Sequence, residues 1–187
     1  MKIFKGEACK DFKDSFQFLN SSLEKLAESL SDDDFNQMEN HFHDDFKLLS
    51  RKGIFPYEWF DSPEKFACSS LPSRENFYSS LNDRGVTNEE YEYALHIWNH
   101  FKCETFSDYH DLYLTTDILL LSDIFETFRS TSLHNFNLDP AHYISLPSYG
   151  WDCMLKTTGV KLSLLTDINK YLFFENGCRG GISSINH

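Results

Sequence analysis

Tyr113 and Asp117 stand four residues apart in the run Tyr113-Leu114-Thr115-Thr116-Asp117-Ile118-Leu119-Leu120-Leu121. On a helix that spacing puts a phenol and a carboxylate on one face, in line with Leu120 and Ile124. A carboxylate set in an apolar stripe is costly unless a cation, a metal or several hydrogen-bond donors meet it. The plainer alternative puts Asp117 at the edge of the stripe, solvated or held by a nearby side chain. A second chemical stretch is Arg51-Lys52-Gly53-Ile54-Phe55-Pro56-Tyr57. Its basic pair, Gly, Pro and aromatics predict a loop that could present Lys52 to a phosphate and Tyr57 to a base face. The residues alone favour a surface turn anchored by its aromatics. Near the end, Arg179-Gly180-Gly181 would allow a ligand close to the backbone, as paired glycines in ordinary loops also do.

Other residue sets fit their chemistry less well. His96 and His100 sit one helical turn apart but lack the glutamate and third ligand of a zinc site. His41 and His43 fare no better, and both pairs read as surface or edge histidines. The acidic stretch from Ser31 to Asp45 does not keep the ligand register of a calcium loop, and reads as a solvated connection.

The elements that must position these residues are mostly helices. Thr105 and Asp108 form a capping box that opens a long helix, with no Pro or Gly until Pro140. A second apolar stripe, Leu114, Ile118, Leu121, Phe125 and Phe128, runs beside the first. So much apolar circumference calls for a large partner, expected to be a sheet. Ser21 with Glu24 predicts a short helix through Leu30, and Thr87 with Glu90 one that buries Tyr91, Ala94, Leu95, Trp98 and Phe101. Ser62-Pro63-Glu64 begins another, Pro72 to Leu81 reads as a short helix, and Asn82 to Gly85 as a turn. Pro147 to Thr158 is predicted as a helix closed by Gly159, and Thr166-Asp167 opens one that Gly177 stops. Residues up to Lys10 show no pattern, and Asp11 to Leu19 reads as a strand end leading into a turn.

A chain of 187 residues can hold one sizeable core. Seventeen Lys and Arg against 29 Asp and Glu leave a net charge of -12. That excludes an all-over phosphate-gripping surface while permitting a local basic groove. Five scattered cysteines without a CxxC pair suggest reduced thiols in an intracellular protein. No apolar run suggests a signal peptide or membrane span.

These motifs, in this order, resemble protein-primed family B DNA polymerases, most closely those of Polinton (Maverick) transposons. Tyr113-x-x-x-Asp117 is similar to the family's third exonuclease motif. Lys52 and Tyr57 resemble its exonuclease lysine and the tyrosine that contacts the single-stranded primer end. Asp14-Ser15-Phe16 to Leu30, Asp108 to Phe128, Asp139-Pro140-Ala141-His142-Tyr143 and Gly159-Val160 onward also match. Arg179-Gly180-Gly181 resembles the Tyr-x-Gly-Gly link between exonuclease and polymerase domains, with Cys178 in the place of the aromatic residue. Similarity spans about Asp11 to Ser183.

The resemblance implies roles for these residues. Phosphodiester hydrolysis by two magnesium ions needs several carboxylates around the cations and an oriented water. Asp117 would be a metal ligand, Tyr113 would hydrogen-bond the attacking water, and Lys52 would neutralise the phosphate. Tyr57, Arg179, Gly180 and Gly181 would contact DNA. The partners implied are a primer–template and a terminal protein, with a nuclear setting if the element is a eukaryotic transposon. The family's Asp-x-Glu and second exonuclease motifs are expected upstream of Asp11, and its palm and fingers motifs beyond His187.

The chain therefore reads as an α+β, predominantly helical fragment. Residues 1–136 would be the C-terminal part of a ribonuclease H-like 3'-5' exonuclease domain, and residues 137–187 the link towards the palm. Its function would be that of a replicative polymerase with proofreading exonuclease, inactive alone. The alternative is a non-catalytic helical remnant that binds DNA or a protein. With the sheet strands upstream, Ile118, Leu120, Leu121, Ile124 and Phe125 are expected to lie uncovered, leaving a loosely packed or self-associating chain.

Overall fold

The computed structural model describes residues 2–5, 8–11 and 13–178. It is predominantly helical. The chain opens with a hairpin that no sequence pattern announced, β1 (Lys2–Lys5) and β2 (Ala8–Asp11), antiparallel with Lys2 opposite Asp11. A 3₁₀ turn, Ser15–Gln17, follows, capped by the Asp14 carboxylate.

α1 (Leu23–Ala27) takes Ser22 as its cap, one residue later than expected. The Ser22 hydroxyl accepts from the Lys25 amide, so the Glu24 carboxylate has no reciprocal role. The helix also stops short of Leu30, because the Ser29 hydroxyl donates to the Leu26 carbonyl and the last turn tightens.

The acidic stretch expected to be a mere connection contains real structure. Ser31 and Asp34 close a capping box over a 3₁₀ turn, and α2 (Asn36–Phe42) and α3 (Phe46–Leu49) follow. Phe35, Met38, Phe46 and Leu49 are buried there. Polar neighbours hide these four anchors from a periodicity reading.

Between α3 and the next helix the chain makes 3₁₀ turns at Pro63–Ala67 and Arg74–Phe77. The second is one turn where a helix to Leu81 was expected. There the backbone extends instead, pairing Ser79 with Arg84 around Asp83, which takes a positive φ of 49°. α4 (Asn88–His100) starts on the reciprocal Thr87–Glu90 box, with bonds of 2.7 and 3.2 Å. It buries Ala94, Ile97 and Trp98, with Tyr91, Leu95 and Phe101 half-buried.

α5 (Phe106–Phe136) is the axis of the molecule, 31 residues or about 46 Å long. It begins at the expected Thr105–Asp108 box and ends at Asn137, in the left-handed conformation. α6 (Leu146–Thr158) is closed by Gly159 at φ 66°, and α7 (Ile168–Gly177) is capped by Asp167. The chain past 137 is tied back to α5. Asp139 takes two bonds from Arg129, at 3.0 and 2.6 Å, and its carboxyl is held at a pKa of about 2 chiefly by that guanidinium. Tyr149 packs edge-on against Phe128 and Phe136.

The expected sheet partner of α5 is absent among the described residues, and helices replace it. Leu120 is fully buried and Ile124 nearly so, in one cluster with Met38, Leu49, Ile97, Trp98 and Phe106. Only the second stripe stays uncovered: Ile118 is 58% and Leu121 38% exposed, while Phe125 is half-buried. Of the five side chains expected to lie uncovered, Leu120 and Ile124 are buried while Ile118 and Leu121 stay open.

Candidate functional site

The loop 51–57 and the first third of α5 build the site together. Pro56 is fully buried and anchors the loop, while Tyr57 beside it is 62% exposed. The Tyr109 hydroxyl donates to the Ile54 carbonyl at 2.5 Å, stitching the loop to α5 one turn before Tyr113. Arg51 turns the other way and stacks over the Tyr93 ring, 4.2 Å from its centroid.

Tyr113 is clasped by this loop. Its ring lies 4.8 Å, centroid to centroid, from that of Phe55, and its hydroxyl hydrogen-bonds the Tyr57 hydroxyl. The Gly53 backbone also presses against the ring, so that a Cβ there would stand 2.8 Å from Tyr113 Cδ2. Gly53 is needed for this close approach. Burial, the Tyr57 bond and the Asp117 charge all push the Tyr113 phenol far above its ordinary pKa. It stays a neutral hydroxyl at any physiological pH.

Asp117 follows one turn later. Its Oδ1 is shut off from solvent and has no hydrogen-bond partner. Burial raises the carboxyl pKa, against the opposing pull of the Tyr113 hydroxyl and the Lys52 ammonium. So four residues singled out from the sequence, Lys52, Tyr57, Tyr113 and Asp117, converge on one spot. Arg179, Gly180 and Gly181 lie outside the described residues.

A polar groove of about 550 Å³ is lined in part by Lys52 and Tyr57 of this loop. Phe77, Ser79, Asn82 and Arg84 also line it. Two acids, Glu24 and Glu90, share its walls. The groove therefore mixes charges, with Tyr57 contributing exposed aromatic surface.

The fit to a two-metal centre is incomplete. An orphaned, enclosed carboxylate oxygen is a suitable single ligand for a hard cation. Yet no group of three or more His, Cys, Asp or Glu that could hold a metal occurs among the described residues. Asp117 cannot assemble such a centre with the residues around it, and the local chemistry is that of a neutral phenol, a reluctant carboxylate and an ammonium.

The histidine pairs lie elsewhere. His100 Nε2 meets Asp45 Oδ1 at 2.9 Å, joining α4 to the turn before α3, with the His96 ring 5.9 Å away, centroid to centroid.

Sequence reasoning missed Asp123, the wholly enclosed carboxylate among the described residues. It accepts from the Gln37 and Met38 amides at 2.7 and 3.0 Å. Asp123 thereby caps α2 from another element, meeting orphan amides and the positive helix end together. Its place next to Ile124 in the buried stripe was the available signal. Gly53 and Phe55 were seen only as loop formers, since their contacts with Tyr113 span the fold. No helix among the described residues is long and apolar enough to cross a membrane. No protein-family model matches this chain, and neither a curated protein nor a solved structure does.

Proposed function

We propose that the loop 51–57 and α5 form the strand-end side of a 3'-5' exonuclease module, of the kind carried by protein-primed family B DNA polymerases. The observation that supports this most is the convergence of Lys52, Tyr57, Tyr113 and Asp117, separated by up to 65 residues of sequence and linked by the Tyr57–Tyr113 hydrogen bond and by the pull of Tyr113 and Lys52 on the Asp117 carboxyl. In this reading the exposed face of Tyr57 stacks on the last base of a single strand, and Lys52 meets its phosphate. Tyr113 is the fixed neutral hydroxyl that holds a water or phosphate oxygen next to Asp117. The polar groove past Ser79 and Asn82 takes the strand leading to that end.

The ribonuclease H-like fold, the magnesium ions, the primer–template and the terminal protein belong to this proposal. A magnesium centre would have to draw its other carboxylates from beyond the described residues. The reading frame around this one tests it. An in-frame Asp-x-Glu upstream and an in-frame Asp-Thr-Asp downstream are the expected result. Flanking coding sequence of unrelated composition would overturn it and favour a free-standing helical DNA- or protein-binding module.

A further inference from the structure

Thr116 is a buried polar residue with no part in the clasp around Tyr113. It is 2% exposed, on the face that α5 shares among Tyr109, Tyr113 and Leu120. A helical threonine ordinarily turns its hydroxyl onto a carbonyl three or four residues earlier, here that of Tyr113 or Leu112. The Thr116 hydroxyl does not. It is closed to solvent and meets no hydrogen-bond partner among the described residues. A hydroxyl buried in that state bears the full cost of its lost hydration.

Thr116 also lines a narrow cavity of about 20 Å³, together with Gly53 of the loop, Tyr93 of α4, and Tyr109 and Tyr113 of its own helix. A buried water needs about 10–15 Å³ of such space and roughly two to four polar partners. The cavity therefore suits one water and is too small for an organic ligand. Polar partners are at hand. The Tyr93 hydroxyl donates to the Leu48 carbonyl at 2.8 Å, and the Tyr109 hydroxyl to the Ile54 carbonyl at 2.5 Å. Burial pushes both phenols above their ordinary pKa, so each keeps the one proton it has already committed. Their oxygens are thus left to accept, while the Thr116 proton is free to be given.

We propose that this cavity is a binding site for a single internal water, which accepts from the Thr116 hydroxyl and donates to the phenol oxygen of Tyr93 or Tyr109. Water alone among ligands of that size both accepts and donates, which is what the lining requires. It ties α5 to its neighbours at a point where Thr116 makes no direct hydrogen bond to them. It also lies against the ring that the loop 51–57 clasps, since Tyr113 lines the same cavity. The site is independent of the strand-end reading and needs no DNA.

A high-resolution crystal structure of the wild type is the first test, and it depends on no variant. One ordered water should stand about 2.7–3.0 Å from Thr116 Oγ1. A Thr116 hydroxyl bonded to the Leu112 carbonyl, or with no water in reach, overturns the proposal. Oxygen-17 magnetic relaxation dispersion repeats the test in solution by counting long-lived waters. Thr116→Val keeps the shape of the side chain without its hydroxyl and should lower the count by one. Thr116→Ser keeps the hydroxyl and should leave the count unchanged, with circular dichroism verifying that both variants stay folded. Equal counts in wild type and Thr116→Val overturn the proposal. So does the loss of a water from both variants, which would show that the hydroxyl is not what holds it.

Discussion

The Tyr57 and Tyr113 hydroxyls hydrogen-bond to one another across 56 residues of sequence. Their contact locks an exposed loop onto the central helix. The Tyr113 ring also meets both the Phe55 ring and the Gly53 backbone. The geometry of the whole site hangs on how closely that backbone approaches.

Gly53→Ala should therefore destabilise the protein by about 1–3 kcal/mol, the usual cost of overpacking a filled site. Chemical denaturation measures it. In a Tyr113→Ala background the ring is gone and the same substitution should cost far less. An equal cost in both backgrounds would place the strain elsewhere.

Asp123 should matter more to stability than any other carboxylate. Asp123→Ala orphans the Gln37 and Met38 amides at the start of α2 and should cost about 2–4 kcal/mol. Asp123→Asn keeps one acceptor oxygen and should cost less than the alanine. Thermal melts of the two variants give the order, and a reversed order would contradict the capping role.

How much of this was legible in the sequence depended on range. Caps written within four residues, such as Thr87–Glu90, Thr105–Asp108 and Gly159, are local chemistry and fell where expected. Tyr113 and Asp117 were paired by their four-residue spacing, while Lys52 and Tyr57 rested on the composition of their loop and on the family resemblance. Asp123 was not, because its partners lie 85 and 86 residues away and nothing local demands a carboxylate there. The expected sheet followed from the breadth of apolar surface on α5. Short helices rich in polar residues cover half of that surface, and their anchors Phe35 and Met38 are too sparse to form a visible period.

The raised carboxyl of Asp117 carries a pH signature. Its pKa in the folded chain lies above the unfolded value of 3.8, so the folded form holds its proton longer. That contribution favours folding at low pH and is lost as pH rises from about 3.8 through the folded pKa. Asp117→Asn should then be more stable than wild type at neutral pH, by at most about 1 kcal/mol because the side chain is only half-buried. Melts from acid to neutral pH should show the advantage fade below the unfolded pKa. An advantage that is constant across pH, or a loss at neutral pH, would contradict the burial of a charged carboxylate.

Catalysis by this chain alone is not expected, since no group of three or more His, Cys, Asp or Glu that could hold a metal occurs among the described residues. Incubation with magnesium, labelled primer–template and nucleotides should give neither shortening nor extension. Metal-dependent turnover that co-purifies with the chain and disappears in Asp117→Asn would mean that this chain completes a metal centre around Asp117 by itself.

The central claim is that the loop and helix receive the end of a single strand, and fluorescence anisotropy with a short labelled single-stranded oligonucleotide tests it most directly. Binding should be weak against the -12 charge, stronger for single than for double strands, and reduced by rising salt. Tyr57→Ala should remove about 1–3 kcal/mol of stacking, and Lys52→Ala should flatten the logarithmic salt dependence by about 0.7, the share of one phosphate contact. Binding that survives high salt and ignores both substitutions, or no preference for single strands, would contradict it.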